Sequence, residues 1–91
     1  GVFALVLECL PVELAREITA SIRVPTIGIG AGPHCDGQVL VVHDLLGLTG
    51  DRHPKFVKQY AQLGEDMKAA FENFRRDVQE GRFPGEEHCY T

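Results

Sequence analysis

Two short runs of apolar residues constrain the fold of this chain more than any other feature. Residues 2–7 (VFALVL) and residues 39–42 (VLVV) are continuously apolar. Such runs are typical of parallel β-strands that are covered by helices or that fill a barrel, and the first run is expected to be buried on both faces. Between these runs a further short strand is predicted at residues 25–30 (PTIGIG), where glycines take the place of larger side chains, so the run at 39–42 is the predicted third strand in chain order.

Helical patterns separate and follow these strands. Pro11 suits the first turn of a helix whose apolar residues share one face, and this helix should stop near Arg23. Further helices are predicted at residues 55–62 and 65–80, the second with an apolar stripe and with Gly81 as its C-cap. The chain is then expected to end in an extended, polar tail.

The alternation of strands and helices predicts an α/β fold with a parallel sheet and right-handed crossovers. Three strands cannot close a barrel, and an eight-stranded (β/α)8 TIM-type barrel needs about 200 residues or more. The chain has 91 residues. We therefore expect residues 1–91 to be the C-terminal part of a single barrel domain, with the upstream part absent, and to start inside a longer protein.

Charge and cysteine content exclude several kinds of partner. The formal net charge is −4, and Arg75 and Arg76 form the only adjacent basic pair, so no nucleic-acid partner is expected. The three cysteines contain no CxxC spacing, which favours a reducing compartment. No apolar run approaches the roughly 18–20 residues of a membrane span, so no membrane partner is expected.

A carboxylate ends the first apolar run. Glu8 follows residue 7 directly, and reactive groups in barrels and parallel sheets lie at the carboxyl ends of strands. A buried carboxylate is costly unless it is paired or used. Glu8 is therefore either a solvated or paired strand-end carboxylate or a catalytic group. Its neighbour Cys9 is predicted to be a buried hydrophobic residue, because no basic group is evident beside it.

Two further features near the predicted strand ends each have two interpretations. Residues 28–32 (GIGAG) either pack backbone closely in a tight turn or expose N–H groups that cradle an anion. His34 and Asp36 lie in the loop that follows, and His43 and Asp44 close the predicted third strand. These residues either shape turns, with the histidines at the surface, or bind a ligand or metal.

Four segments carry a resemblance to a known family. In chain order they are LVLECLPVELA, PTIGIGAGPHCDGQVLVVHDLLGLTG, PKFVKQY and FPGEEH. Together they resemble the C-terminal part of ketopantoate hydroxymethyltransferases, with small departures at Leu10 and at residues 33–35. The resemblance implies an eight-stranded β/α barrel of which this chain would hold strands six to eight.

The resemblance also implies a one-carbon transfer. The family's reaction moves a hydroxymethyl group from 5,10-methylenetetrahydrofolate to 3-methyl-2-oxobutanoate and yields 2-dehydropantoate for pantothenate biosynthesis. Mg²⁺ chelates the 2-oxo acid as a Lewis acid while a base removes the C3 proton. By its place in LECLP, Glu8 corresponds to this proton acceptor. The family's Mg²⁺ ligands lie on strands two to four, so no metal ligand is expected in this chain.

Other site residues and partners are implied less directly. Gly30, Gly32, His43 and Asp44 would border the folate or substrate side of the site, on the strength of their strand-end positions alone. The resemblance implies a homo-oligomer that acts on small molecules in the cytoplasm, or in the mitochondrion if the source is a eukaryote. This chain alone is expected to be inactive. Two alternatives stay open: a non-catalytic truncated fragment, and a barrel enzyme of the phosphoenolpyruvate mutase and isocitrate lyase group.

Overall fold

A computed structural model describes residues 1–91 as a small α/β structure with one three-stranded sheet. The strands are β1 (Leu5–Glu8), β2 (Thr26–Ile29) and β3 (Gly37–Gln38), and they pair in parallel in the order β1-β2-β3. The helices are α1 (Val12–Ser21), α2 (Val42–Leu45) and α3 (Leu63–Gln79), followed by a 3-10 turn at Glu86–His88. The predicted α/β class and the parallel sheet are confirmed.

One face of the sheet is covered by α1. Leu7 of β1 is buried in a small core with Ala15 of α1 and Ala31, which follows β2. Because side chains alternate along a strand, Val6 and Glu8 lie on the opposite face. The register places them beside Ile27 and Ile29, respectively. We call this second face, which carries Val6, Glu8, Ile27 and Ile29, the open face of the sheet.

A hydrogen-bond network around the buried Thr26 fixes the start of β2. Thr26 is 0% exposed. Its backbone N–H donates to Oδ2 of Asp36 at 2.8 Å, and its hydroxyl accepts from the backbone N–H of Asp36 at 3.1 Å. The Thr26 hydroxyl is also bonded to that of Thr19 on α1, at 2.9 Å. Asp36 therefore closes the loop between β2 and β3, which agrees with the turn-shaping interpretation of this residue.

The predicted third strand at residues 39–42 is wrong. The strand β3 is only Gly37–Gln38, and Val42 already belongs to α2. The N–H of Val39 still donates to the carbonyl of Gly28 at 3.0 Å, but β2 ends at Ile29. The next residue, Gly30, has φ +69° and turns the chain away. The apolar run therefore continues beyond the point where β2 offers a partner.

The last long helix is confirmed and the helix before it is not. Residues 65–80 were predicted to be helical, and α3 covers Leu63–Gln79, with Gly81 at φ +72° after its C-cap. The predicted helix at 55–62 is wrong, since this stretch is irregular apart from a turn at its start. It instead runs along the end of α2. The N–H group of Tyr60 donates to the carbonyl of Leu45, the last residue of α2, and the N–H group of Leu63, at the start of α3, donates to the carbonyl of Leu46.

The C-terminal tail is not simply extended. It contains the 3-10 turn Glu86–His88, and Phe83 packs against two rings. Its ring centroid lies 5.5 Å from that of Phe74 on α3 and 5.0 Å from that of His88. The tail therefore folds back on the end of α3. None of the helices combines the length and the apolar content that crossing a membrane requires.

Little of the chain is buried. Only 7 of 91 residues are buried, and the molecule measures 67 × 29 × 15 Å. Its radius of gyration is 21.7 Å, whereas a compact domain of this length has one of about 12 Å. The expectation that the first strand is buried on both faces is wrong for this chain alone: Phe3 is 91% exposed and Val6 is 57% exposed. The chain provides only one covering layer, which is α1.

Candidate active site at the carboxyl ends of the strands

Glu8 is the last residue of β1 and lies at the rim of the open face. Its register partner is Ile29, the last residue of β2, so both strands end at the same edge of the sheet. The Glu8 side chain is exposed. It takes part in none of the ion pairs within the chain. A carboxylate with no internal ion pair is available to accept a proton from a bound ligand.

The backbone turns sharply directly after Glu8. Cys9 has φ +54°, a left-handed conformation that is uncommon for a residue with a side chain. Its N–H donates to the carbonyl of Ile29 at 3.0 Å, which continues the ladder by one bond. The prediction that Cys9 is buried is wrong, because the thiol is exposed at this turn. The turn keeps Glu8 at the end of the strand and leads the chain into α1.

A groove of about 420 Å³ lies beside this turn. Its lining combines apolar side chains, glycine backbone, one thiol and one cation: Cys9, Leu10, Val12, Gly30, Gly32, Lys55 and Phe56. A second hollow of about 400 Å³ shares part of this lining and is completed by Pro33 and Gln38. The two hollows thus meet at the ends of β1 and β2. We call them together the strand-end groove.

Gly30 and Gly32 form part of both hollows, and both have positive φ values, +69° and +78°. A Cβ atom on Gly30 would lie 2.7 Å from a ring carbon of Phe56, and one on Gly32 would lie 3.0 Å from a methyl carbon of Val12. Close packing in a tight turn, one of the two interpretations, therefore describes these glycines. Gln38 also holds this turn, since its side-chain amide donates to the carbonyl of Gly32 at 2.8 Å.

The His43–Asp44 pair lies outside the groove. Both residues are in α2 rather than at the end of a strand, so the prediction that they close the third strand is wrong. Asp44 accepts a hydrogen bond from the hydroxyl of Thr49 at 3.1 Å, and His43 is exposed. The structure thus brings Glu8, Gly30 and Gly32 to one edge but does not bring His43 and Asp44 into the lining. Their role in a ligand site stays a prediction.

Comparison with known proteins places this chain in a family. The sequence model described as ketopantoate hydroxymethyltransferase matches residues 1–86, which include Glu8, the strand-end groove and α3. The chain belongs to the ketopantoate hydroxymethyltransferase family.

Curated relatives carry the corresponding enzyme name. The chain is 66% identical over 90 residues to the 3-methyl-2-oxobutanoate hydroxymethyltransferase of Moorella thermoacetica, which covers 99% of the chain and 34% of that protein. It is 58% identical to the protein of the same name from Heliobacterium modesticaldum and 51% identical to that from Bordetella petrii, in each case over 99% of the chain and 33% of the relative. The chain thus spans about a third of the length of the curated relatives it matches.

The residues present do not form a metal site. The chain contains no group of three or more His, Cys, Asp or Glu side chains that could hold a metal ion. Glu8 stands without a second carboxylate among the residues that line the neighbouring groove. The Mg²⁺ that the resemblance to ketopantoate hydroxymethyltransferases implies therefore does not fit the donor groups of this chain.

Lys55 and Phe56 are among the groove residues that sequence reasoning did not single out. They appear in the segment PKFVKQY, which entered only as part of the family resemblance. Phe56 packs against Gly30 although 25 residues separate the two in the sequence, and no local sequence pattern predicts such a contact. The only signal in the sequence was an aromatic residue beside a lysine shortly after Pro54.

Proposed function

We propose that this chain supplies the general base of an enzyme that transfers a hydroxymethyl group from 5,10-methylenetetrahydrofolate to 3-methyl-2-oxobutanoate. The product is 2-dehydropantoate. The observation that carries the proposal is the placement of Glu8: an exposed carboxylate without an internal ion pair, at the carboxyl end of β1, in a chain of the ketopantoate hydroxymethyltransferase family. Groups that act on substrates in parallel α/β folds lie at this end of the strands.

Glu8 begins the proposed reaction by removing the C3 proton of the 2-oxo acid. The C3–H electron pair passes into the enolate. Water adds to the one-carbon unit of the donor, and the bonds from that carbon to the two donor nitrogens break; the two protons of the water go to these nitrogens, which gives formaldehyde and tetrahydrofolate. The enolate then forms the new carbon–carbon bond to formaldehyde, and the proton taken by Glu8 goes to the formaldehyde oxygen, which becomes the hydroxyl group.

Magnesium belongs to the proposal for the longer protein only. The resemblance implies that Mg²⁺ polarises the carbonyl of the 2-oxo acid, but this chain lacks a suitable cluster of ligands. The ligands would come from the part of the longer protein that corresponds to the other two thirds of the relatives. No step of the mechanism proposed for Glu8 passes through the ion.

The same comparison supports a barrel around this sheet. The open face carries apolar side chains of β1 and β2 that no layer of this chain covers, and β1 has an unpaired outer edge. Five further strands would pair with the sheet edges and cover the open face, which would become the barrel interior. Glu8 would then point into the barrel mouth, and residues 1–91 would be the C-terminal part of one domain.

The alternatives from the sequence are less well supported. The matched family and the names of the relatives favour hydroxymethyl transfer over the chemistry of the phosphoenolpyruvate mutase and isocitrate lyase group. A non-catalytic role has no specific observation in its favour. The homo-oligomer stays a prediction.

Carbon tracing tests the proposed function. The full-length protein is incubated with Mg²⁺, 3-methyl-2-oxobutanoate and a donor labelled with ¹³C in its methylene group, and the products are followed by NMR. We expect a new hydroxymethyl signal on C3. The matched control is 3,3-dimethyl-2-oxobutanoate, which has no C3 proton and should give no product. Absence of the labelled product with 3-methyl-2-oxobutanoate would refute the function.

A further inference from the structure

The strand-end groove has two chemical features that Glu8 does not use. It has apolar walls, made mainly by Leu10, Val12 and Phe56. Lys55 is the only charged residue in its lining, and no carboxylate is present there. The groove therefore suits a ligand that has both a flat apolar part and a negative charge.

Phe56 occupies the junction of the two hollows. It lines both, and its ring rests on Gly30, where a Cβ atom would lie 2.7 Å from a ring carbon. Phe56 is 36% exposed and lines both hollows, so it is accessible from the groove. Glycine at position 30 thus lets an aromatic ring sit on the strand-end backbone and face a ligand. Aromatic rings of ligands pair with such a ring by offset stacking or edge contact.

Lys55 brings an uncommitted positive charge to the same place. It is exposed and takes part in none of the ion pairs within the chain. The chain as a whole carries a formal net charge of −4, whereas the lining of the groove carries one positive charge and no negative charge. An anionic group entering the groove would meet no competing carboxylate of the lining and would pair with Lys55.

The groove also lies close to the proposed base. Cys9, which follows Glu8 directly, is part of its lining. A ligand that lies along the groove therefore has one end beside the strand end that carries Glu8. The one-carbon donor has the required parts in order: a reactive carbon on a ring system, a flat p-aminobenzoyl group and a glutamate with carboxylates. The 2-oxo acid has no aromatic ring.

We propose that Lys55 and Phe56 bind the one-carbon donor, with Phe56 against the p-aminobenzoyl ring and Lys55 paired with a carboxylate of the glutamate. This inference rests on the proposed function and assigns the donor to one part of the site. Lys55 and Phe56 are specificity residues that hold the donor with its reactive end towards Glu8. They do not take part in the proton transfer.

The assignment of Lys55 is tested by removing the positive charge of the enzyme with Lys55→Gln and the carboxylates of the donor with a donor that lacks glutamate. KM is measured in the full-length enzyme for 5,10-methylenetetrahydrofolate and for the corresponding pteroate donor, which lacks the glutamate. Lys55→Gln should raise KM for the complete donor by about threefold to fivefold, the size expected for an exposed ion pair. It should leave KM for the pteroate donor at the parent value, because the partner carboxylate is missing.

The matched control is Lys58→Gln. Lys58 is also exposed, but it lies over the ring of Tyr60, 4.8 Å from its centroid, and does not line the groove. It should leave KM for both donors unchanged. Equal effects of Lys55→Gln on the two donors, or no effect on either, would overturn the assignment of Lys55.

Phe56 is tested by ring removal and ring retention. Phe56→Leu should raise KM for both donors by about threefold to tenfold, because both contain the p-aminobenzoyl ring. Phe56→Tyr keeps an aromatic ring and should restore most of the loss. Parent KM values in Phe56→Leu would overturn the ring contact. A parent enzyme that forms no hydroxymethyl product from either donor would instead refute the proposed function, which is a separate result.

Discussion

At the scale of single residues, Asp36 and Glu8 show how two carboxylates near strand ends have different environments. Asp36 accepts a hydrogen bond from the N–H of buried Thr26 and returns one through its own backbone. Glu8 is exposed and has no ion pair within the chain. The first carboxylate is committed to the fold, and the second is free for a ligand.

The commitment of Asp36 predicts a stability effect. Asp36→Ala would leave the buried N–H of Thr26 without its acceptor, which costs about 1–3 kcal/mol in the free energy of unfolding. Urea unfolding of the full-length protein measures this change. The control is Asp51→Ala, since Asp51 is exposed and makes no hydrogen bond through its side chain. Equal losses in the two variants would contradict the structural role of Asp36.

At the scale of secondary-structure elements, the end of β2 determines the length of β3. Gly30 has φ +69° and turns the chain after Ile29, so the residues that would pair with Leu40 and Val41 are no longer in a strand. The same glycine seats the ring of Phe56. One backbone conformation thus limits the sheet and shapes the strand-end groove.

Two glycine substitutions test this double role. Gly30→Ala should lower the free energy of unfolding by at least about 1–2 kcal/mol, because a residue with a Cβ is strained at this φ and the atom would meet Phe56 at 2.7 Å. Gly37→Ala is the matched control in β3, where a Cβ atom would meet nothing within 4 Å. Thermal unfolding of the full-length variants compares them. If Gly30→Ala lowered the stability no more than Gly37→Ala does, the tight packing at this turn would be contradicted.

Local patterns predicted the elements whose structure is set locally. The periodic apolar residues and the flanking proline and glycine placed α1, β2 and α3 within a few residues of their observed bounds. The strand at 39–42 failed because a strand needs a partner, and the turn at Gly30 removes it. The predicted helix at 55–62 does not form because hydrogen bonds from Tyr60 and Leu63 to the carbonyls of Leu45 and Leu46, at the end of α2, hold that stretch in an irregular path.

The site was predictable to a similar degree. The position of Glu8 was predictable because an apolar run that reads as a strand ends in this carboxylate. The turn at Gly30 and Gly32 was predictable because several glycines lie close together there. The lining residues Lys55 and Phe56 do not follow from local sequence, because their position depends on how a distant irregular segment returns over the strand ends. Long-range packing of this kind has no periodic signal.

At the scale of the whole molecule, most of the apolar surface is uncovered. The stripe on α3 is exposed, with Phe71 at 66%, and the open face exposes Val6 at 57%. The radius of gyration of 21.7 Å shows that these surfaces do not meet one another within the chain. Large exposed apolar surfaces and an unpaired strand edge favour association with other chains.

The isolated chain is therefore expected to be poorly folded or to associate. Sedimentation of residues 1–91 should show species heavier than the 10.0 kDa monomer, or a broad melting transition without cooperativity. The full-length protein in the same buffer provides the comparison and should melt cooperatively. A compact 10.0 kDa monomer with a sharp melting transition would show that the uncovered surfaces need no partner.

The whole enzyme gives the most direct test of the central claim, that Glu8 is the proton acceptor. Glu8→Gln keeps the size of the side chain and removes its basicity, and exchange of the C3 proton of 3-methyl-2-oxobutanoate into deuterated water reports the step by NMR without the folate donor. We expect exchange to slow by about 100-fold or more in the full-length variant. Glu17→Gln, an exposed carboxylate on α1, should exchange at the parent rate. Parent-rate exchange in Glu8→Gln would show that Glu8 is not the base.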